Sequence, residues 1–251
     1  MNHHRSVRGI TQHDHFPTGL SSISFQQSLD LAYRNLANAT SVLGVLPLCL
    51  LFSESGYVYL FPLIIYCNVM DDLDGILAAK LNIRSDFGAR LDNVCDAVSH
   101  SIVVMVVGMK FGGSCTTAAL AAVAAVIIRS VSRLDPKATA GAGSPTNELV
   151  RHVFFILLLS ERFAFDGTPY LIAAFALNAM TMTLPWKLPF MIRAMTKSPF
   201  AIGLVNVALL VAWLAPVALP LITAAFVGAY LFSIGWALRS YFRATLSNQL
   251  Q

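Results

Sequence analysis

The chain has 251 residues, 56% of them apolar and 12% charged, with a formal net charge of +4. Soluble domains carry about 25% charged residues, so half the usual charge is missing and a soluble bundle, which needs a charged surface, is excluded. The apolar residues fall in long blocks, and the mean hydropathy is +0.66, which places the chain in the membrane class.

The four cysteines, Cys49, Cys67, Cys95 and Cys115, form no CxxC pair. No His is placed to complete a zinc set, so they read as free thiols in apolar surroundings. No nucleic-acid partner is expected.

In chain order, Met1 to Thr18 is polar and His-rich, without an apolar signal region or a lipidation signal. Ser22 to Arg34 is expected to form a short amphipathic helix lying in the membrane interface. Eight apolar blocks follow, near Leu36–Phe52, Gly56–Ala79, Phe87–Met109, Thr116–Val131, Leu149–Ser160, Pro169–Leu184, Phe200–Ala215 and Leu219–Leu238. Read as spans of about 17–25 residues, they predict an all-α polytopic membrane bundle of about eight transmembrane helices. The last two are separated by a tight hairpin bounded by Pro216 and Pro220. The chain divides into a polar N-terminal segment (1–34), a transmembrane domain (35–240) and a tail (241–251).

Basic residues test this layout. With an even number of spans, both tails share one side with the even-numbered loops. That side then holds all but two, Lys110 and Arg162, of the 17 Lys and Arg residues. The positive-inside rule sets both termini in the cytoplasm.

The informative segment runs from Asn68 to Asp96. Asp71 and Asp74 are three apart, and Asp92 and Asp96 four apart, so each pair shares a helix face. One pair ends the second block and the other begins the third, and antiparallel neighbours would bring all four carboxylates together near the cytoplasmic surface. Such a cluster does not stay ionised without compensation. Mg²⁺ or Mn²⁺, which prefers carboxylate oxygens and shares its remaining sites with phosphates, resolves the repulsion. Two such ions could clamp a pyrophosphate. Gly75 and Gly88 remove side chains where a flat base or a phosphate would approach the backbone. Asp72 and Asp86 read as solvated or capping residues, with Ser85 at a helix start. A proton or cation pathway is the competing use of intramembrane carboxylates.

Asp71-xx-Asp74-Gly75-xx-Ala78-Ala79-x8-Gly88-xxx-Asp92-xxx-Asp96 resembles the signature of the CDP-alcohol phosphatidyltransferases, DxxDGxxARx8GxxxDxxxD. Every fixed position matches except the Arg, which is Ala79; Lys80 and Arg84 are the nearby cations. The resemblance implies that Asp71, Asp74 and Asp92 are metal ligands. It makes Asp96 the general base, also in reach of a second cation. Asn38 and Ser41 fall in a first-helix segment that implies CDP-lipid binding, as does Ser85 near the nucleotide, although capping is an equal explanation for Asn38. Ala78 completes the small-residue pattern beside Gly75 and Gly88.

Three downstream segments are similar to those of the phosphatidylserine synthase branch: Arg129-Ser-Val-Ser-Arg133, Gly143-Ser-Pro145-Thr, and Leu184-Pro-Trp-Lys187-Leu-Pro189. The resemblance implies transfer of a phosphatidyl group from CDP-diacylglycerol to serine, with release of CMP. Glycerol phosphate, inositol phosphate or choline are rival acceptors. Arg129 or Arg133 is expected at the acceptor's carboxylate or phosphate, against the alternative that each anchors a span end. Homodimerisation is a further implication. A cation-coupled carrier, or a relative inactivated by Ala79, would be the other functions of such a chain.

Overall fold

The computed structural model describes residues 25–135, 137, 140–185, 188 and 199–249, which form helices joined by turns, with no strand among them. Two compact units are distinguished, Met1–Tyr33 and Arg34–Gln251. The described part of the first, residues 25–33, lies in α1 (Phe25–Arg34), a helix with exposed Leu29, Leu31 and Tyr33 and Arg34 in its last turn. It occupies most of the expected interfacial segment; Ser22 to Ser24 lie outside the described residues.

In the second unit come α2 (Leu36–Val45), 3₁₀ turns at Leu46–Phe52 and Gly56–Tyr59, α3 (Leu60–Lys80), α4 (Asp86–Phe111) and α5 (Gly113–Leu134). They are followed by α6 (Thr146–Phe163), α7 (Thr168–Thr183), α8 (Pro199–Leu214) and α9 (Leu219–Gln249). Each of the eight apolar blocks is helical. Among the described residues, three helices are long and apolar enough to cross a membrane: Asp86–Phe111, Gly113–Leu134 and Leu219–Tyr241. Leu36–Phe52 and Phe200–Leu214 are shorter apolar segments.

The first block is not one α-helix, and Pro47 is the reason. A prolyl nitrogen has no proton for the carbonyl four residues back, and a carbonyl left open in an apolar setting is costly. Here the Tyr66 hydroxyl donates to that carbonyl, Leu43 O, at 3.1 Å. Cys67 Sγ lies 3.1 Å from the next one, Gly44 O. Beyond Pro47 the chain tightens into a 3₁₀ turn.

The turn between α3 and α4 decides where the carboxylates sit. Asn82 takes a left-handed conformation, φ 54°. Ile83 N donates to Ala78 O at 3.1 Å and Asn82 N to Ala79 O at 3.4 Å. That pair of bonds is the Schellman arrangement, with Asn in the position usually held by Gly. Three residues later Ser85 caps α4, its hydroxyl accepting from Gly88 N at 3.0 Å, with Asp86 in the first turn. The capping expectation for Ser85 and Asp86 holds. The short connection folds α4 back beside α3, so the two aspartate pairs face each other.

The fifth block is longer than its apolar stretch suggests. α6 begins at Thr146 and carries Asn147, Glu148, Arg151 and His152 into the bundle. Glu148 and His152 are buried, and Phe154 and Phe155 behind them are fully enclosed. The α6 packing continues through Asn178 Nδ2, 3.1 Å from His152 Nδ1, and Tyr230, whose hydroxyl donates to Asn178 Oδ1 at 3.2 Å.

The stretch 141–145 closes the open end of α7. Ala142 N donates to Leu184 O and Ser144 N to Thr181 O, each at 2.9 Å, while Gly141 N reaches Thr183 O at 3.3 Å. These are the carbonyls a helix C-terminus leaves without internal partners. Gly143 passes so close that a Cβ there would lie 1.8 Å from Thr181 O. The small residues of α5 pack within the chain: Ala119, Ala122 and Ala125 are buried, and α5 lies against α4 and α7.

Candidate active site

Asp71 and Asp74 project from α3 and Asp92 from α4. One carboxylate oxygen from each falls within 4.8 Å of the other two. Asp74 is buried, and the Ser41 hydroxyl of α2 donates to its Oδ2 in a short hydrogen bond. On the opposite side Asn147 of α6 donates to Asp71 Oδ2 at 3.2 Å. The donor set is all hard oxygen with lone pairs to spare, which suits Mg²⁺ or Mn²⁺. Asp96, one turn beyond Asp92, lines a cavity beside the cluster.

Two cavities flank these carboxylates. The larger, about 440 Å³, is lined by Asn38, Ser41, Gly75, Ala78, Ser85 and Gly88, together with Asp74 and Asp92. All six residues expected to bind the donor from the small-residue pattern thus meet in one place. A Cβ on Gly75 would meet nothing within 4 Å, so that glycine leaves open space in the cavity wall. Gly88 is tighter: a Cβ there would lie 2.9 Å from Asn38 Oδ1. Asn38 does not cap α2; its amide donates to Asn35 Oδ1 at 3.0 Å, and Asn35 makes no side-chain cap bond. Arg84 lines the cavity and Lys80 does not. Of the two cations near the motif position held by Ala79, Arg84 is therefore the one at the cavity.

The smaller cavity, about 220 Å³, holds Asp71, Asp92 and Asp96 on one wall and Arg129 and Arg133 on another. Arg129 is also a structural residue, since its Nη1 donates to the Gly141 carbonyl in a short bond that ties α5 to the 141–145 stretch. Pro145 lines the same cavity. The segment from Trp186 to Lys187 and Pro189, expected to mark an acceptor branch, lies outside the described residues.

Among the cavity residues that sequence reading missed are Asp72, Asn147, Glu148 and Arg151. Asp72 is not a solvated end residue. Asn206 Nδ2 of α8 donates to it at 2.6 Å and Asn68 Nδ2 at 3.3 Å. Glu148 and Arg151 form an ion pair at 3.0 Å, with side chains 3% and 11% exposed. The i,i+3 spacing of an acid and a base at the start of an apolar block was the available signal.

A carboxylate cluster shared by two cavities, in a chain with helices of membrane length, suits cation-assisted phosphoryl transfer at a membrane. Residues 34–239 match the family model of CDP-alcohol phosphatidyltransferase, and the chain belongs to that family. It is therefore a transferase of phospholipid biosynthesis that moves a phosphatidyl group from a CDP-alcohol to an acceptor. The family is generally dependent on divalent metal, and the aspartate cluster is suited to hold one. No curated protein matches the chain.

Proposed function

We propose that the chain is a CDP-diacylglycerol:serine phosphatidyltransferase that forms phosphatidylserine and CMP. The observation that carries this reading is the position of Asp92, which lines both cavities, so that donor and acceptor meet at one carboxylate cluster. The larger cavity receives the CDP head, with Gly75 leaving room for the nucleotide, Asn38 and Ser85 at its polar edges, and Arg84 in place of the motif Arg. The smaller cavity receives the acceptor, with Arg133 and Arg129 toward its carboxylate.

In the reaction the acceptor hydroxyl oxygen bonds to the β-phosphorus, and the bond from that phosphorus to the CMP oxygen breaks. Asp96 takes the hydroxyl proton as general base. Asp71, Asp74 and Asp92, with Asp96 at a second position, would hold two Mg²⁺ or Mn²⁺ ions, whose chemistry there would be charge neutralisation at the phosphoryl oxygens and the leaving CMP. Eight spans, both termini and the site on the cytoplasmic side, and a homodimer complete the proposal; the charge distribution over the loops supports the sidedness.

The test is a screen of alcohols with purified protein, Mn²⁺ and CDP-diacylglycerol, following the lipid product by mass. Phosphatidylserine is expected. A product carrying glycerol phosphate, inositol phosphate or choline would replace serine, and absence of CMP release with every alcohol would remove the enzymatic reading.

A further inference from the structure

Asp72 follows Asp71 on α3 and is turned about 100° from it round the helix, so it stands outside the cation-ready group of Asp71, Asp74 and Asp92. It lines the smaller cavity. Both of its hydrogen bonds, from Asn206 and Asn68, fall on Oδ2. Asn68 and Asn206 are themselves joined at 2.7 Å. The two amides thus hold one carboxylate oxygen, Oδ2, and neither engages Oδ1.

The same Asn68 reaches a charge of opposite sign, since Arg151 Nη2 lies 3.5 Å from Asn68 Oδ1. Arg151 is anchored by Glu148, and its buried Nε has no protein partner. One asparagine therefore links a carboxylate and a guanidinium, Asp72 and Arg151, that both line the cavity of about 220 Å³. A zwitterionic amino alcohol presents the complementary pair. A phosphorylated polyol, wholly anionic, would meet Asp72 as a like charge, which penalises it.

Resting on the phosphatidyltransferase reading above, we infer that Asp72 selects the acceptor, its Oδ1 receiving the ammonium group of an amino alcohol whose carboxylate, when there is one, lies toward the cavity's guanidinium groups, Arg151 beside Arg129 and Arg133. Asp72 is a specificity residue and takes no part in the transfer step. The competing role is purely structural, a tie between α3 and α8 through Asn206.

Acceptor analogues separate the two. Serine, ethanolamine and 3-hydroxypropionate, which is serine without its amine, are compared with the full chain, Mn²⁺ and CDP-diacylglycerol. CMP release gives kcat/KM, or a competitive inhibition constant where turnover is too slow. Asp72→Asn is expected to weaken serine and ethanolamine roughly 10- to 100-fold, the range of a charge-assisted hydrogen bond, and 3-hydroxypropionate far less. Asp72→Glu should restore part of the loss. If Asp72→Asn does not fold, Asn206→Ser removes the anchor and keeps the charge, and the same acceptor pattern at smaller size is expected. Equal losses for all three acceptors, or no loss, would overturn the assignment and leave the enzyme reading standing. So would a wild-type preference for a phosphorylated polyol. No CMP release by the wild-type protein with any alcohol would remove both.

Discussion

Asn147 donates its side-chain amide to Oδ2 of Asp71 at 3.2 Å, joining residues 76 positions apart. The bond fixes the orientation of a carboxylate in the cation-ready cluster from a helix that carries no member of the cluster. Residues that orient metal ligands commonly contribute 10- to 100-fold to affinity or activity. Asn147→Ala should therefore raise the Mn²⁺ concentration needed for half-maximal CMP release by roughly 10-fold. The check is a Mn²⁺ titration of CMP release; an unchanged midpoint would show that Asp71 holds its position unaided.

Asp96→Asn keeps the shape of the side chain and removes its capacity to take a proton. General bases contribute about 10²–10⁴-fold, and a loss of that size in CMP release is expected. The variant should still elute as a folded, membrane-extracted protein in size-exclusion chromatography. Full activity would move the base elsewhere.

Two glycines should respond in opposite ways to the same added methyl. At Gly75 a Cβ meets nothing, so Gly75→Ala should keep the wild-type Tm while raising KM for CDP-diacylglycerol, because the methyl enters the donor cavity. At Gly143 a Cβ would collide with Thr181 O. Gly143→Ala should cost about 1–3 kcal/mol, read as a lowered Tm. Thermal melts and donor titrations on both variants make the comparison.

The cation that stands in for the motif Arg can be identified by removing each candidate. Arg84 lines the donor cavity, so Arg84→Gln should raise KM for the CDP-lipid about 10-fold, the worth of one charge-assisted bond. Lys80 lies off the cavity, and Lys80→Gln should change KM little. The reverse ranking would assign the role to Lys80.

The carboxylate cluster was legible before any coordinates because its members lie within one helical hairpin. Spacings of three and four and a short connection were enough to bring Asp71, Asp74 and Asp92 together. The acceptor side was not legible in the same way. Asn147, Arg151 and Asn206 approach Asp71 and Asp72 only through the packing of α6 and α8, and isolated polar residues carry no sign of such a partner. Asp72 illustrates the error: one position from a motif aspartate, it read as solvated, and the bond from Asn206, 134 positions away, shows otherwise. In the fold, Pro47 was visible in the sequence. Its consequence, a first block divided between α-helix and 3₁₀ turn, depended on Tyr66 being present to meet the open carbonyl.

The sharing of Asp92 by two cavities has a kinetic consequence. With the donor and acceptor placed as proposed, each substrate has its own cavity at the reacting centre, so neither must depart before the other arrives. Initial rates measured across a grid of the two concentrations should give intersecting reciprocal lines, the pattern of a ternary complex. Parallel lines would point to a phosphatidyl group parked on the protein between two half-reactions.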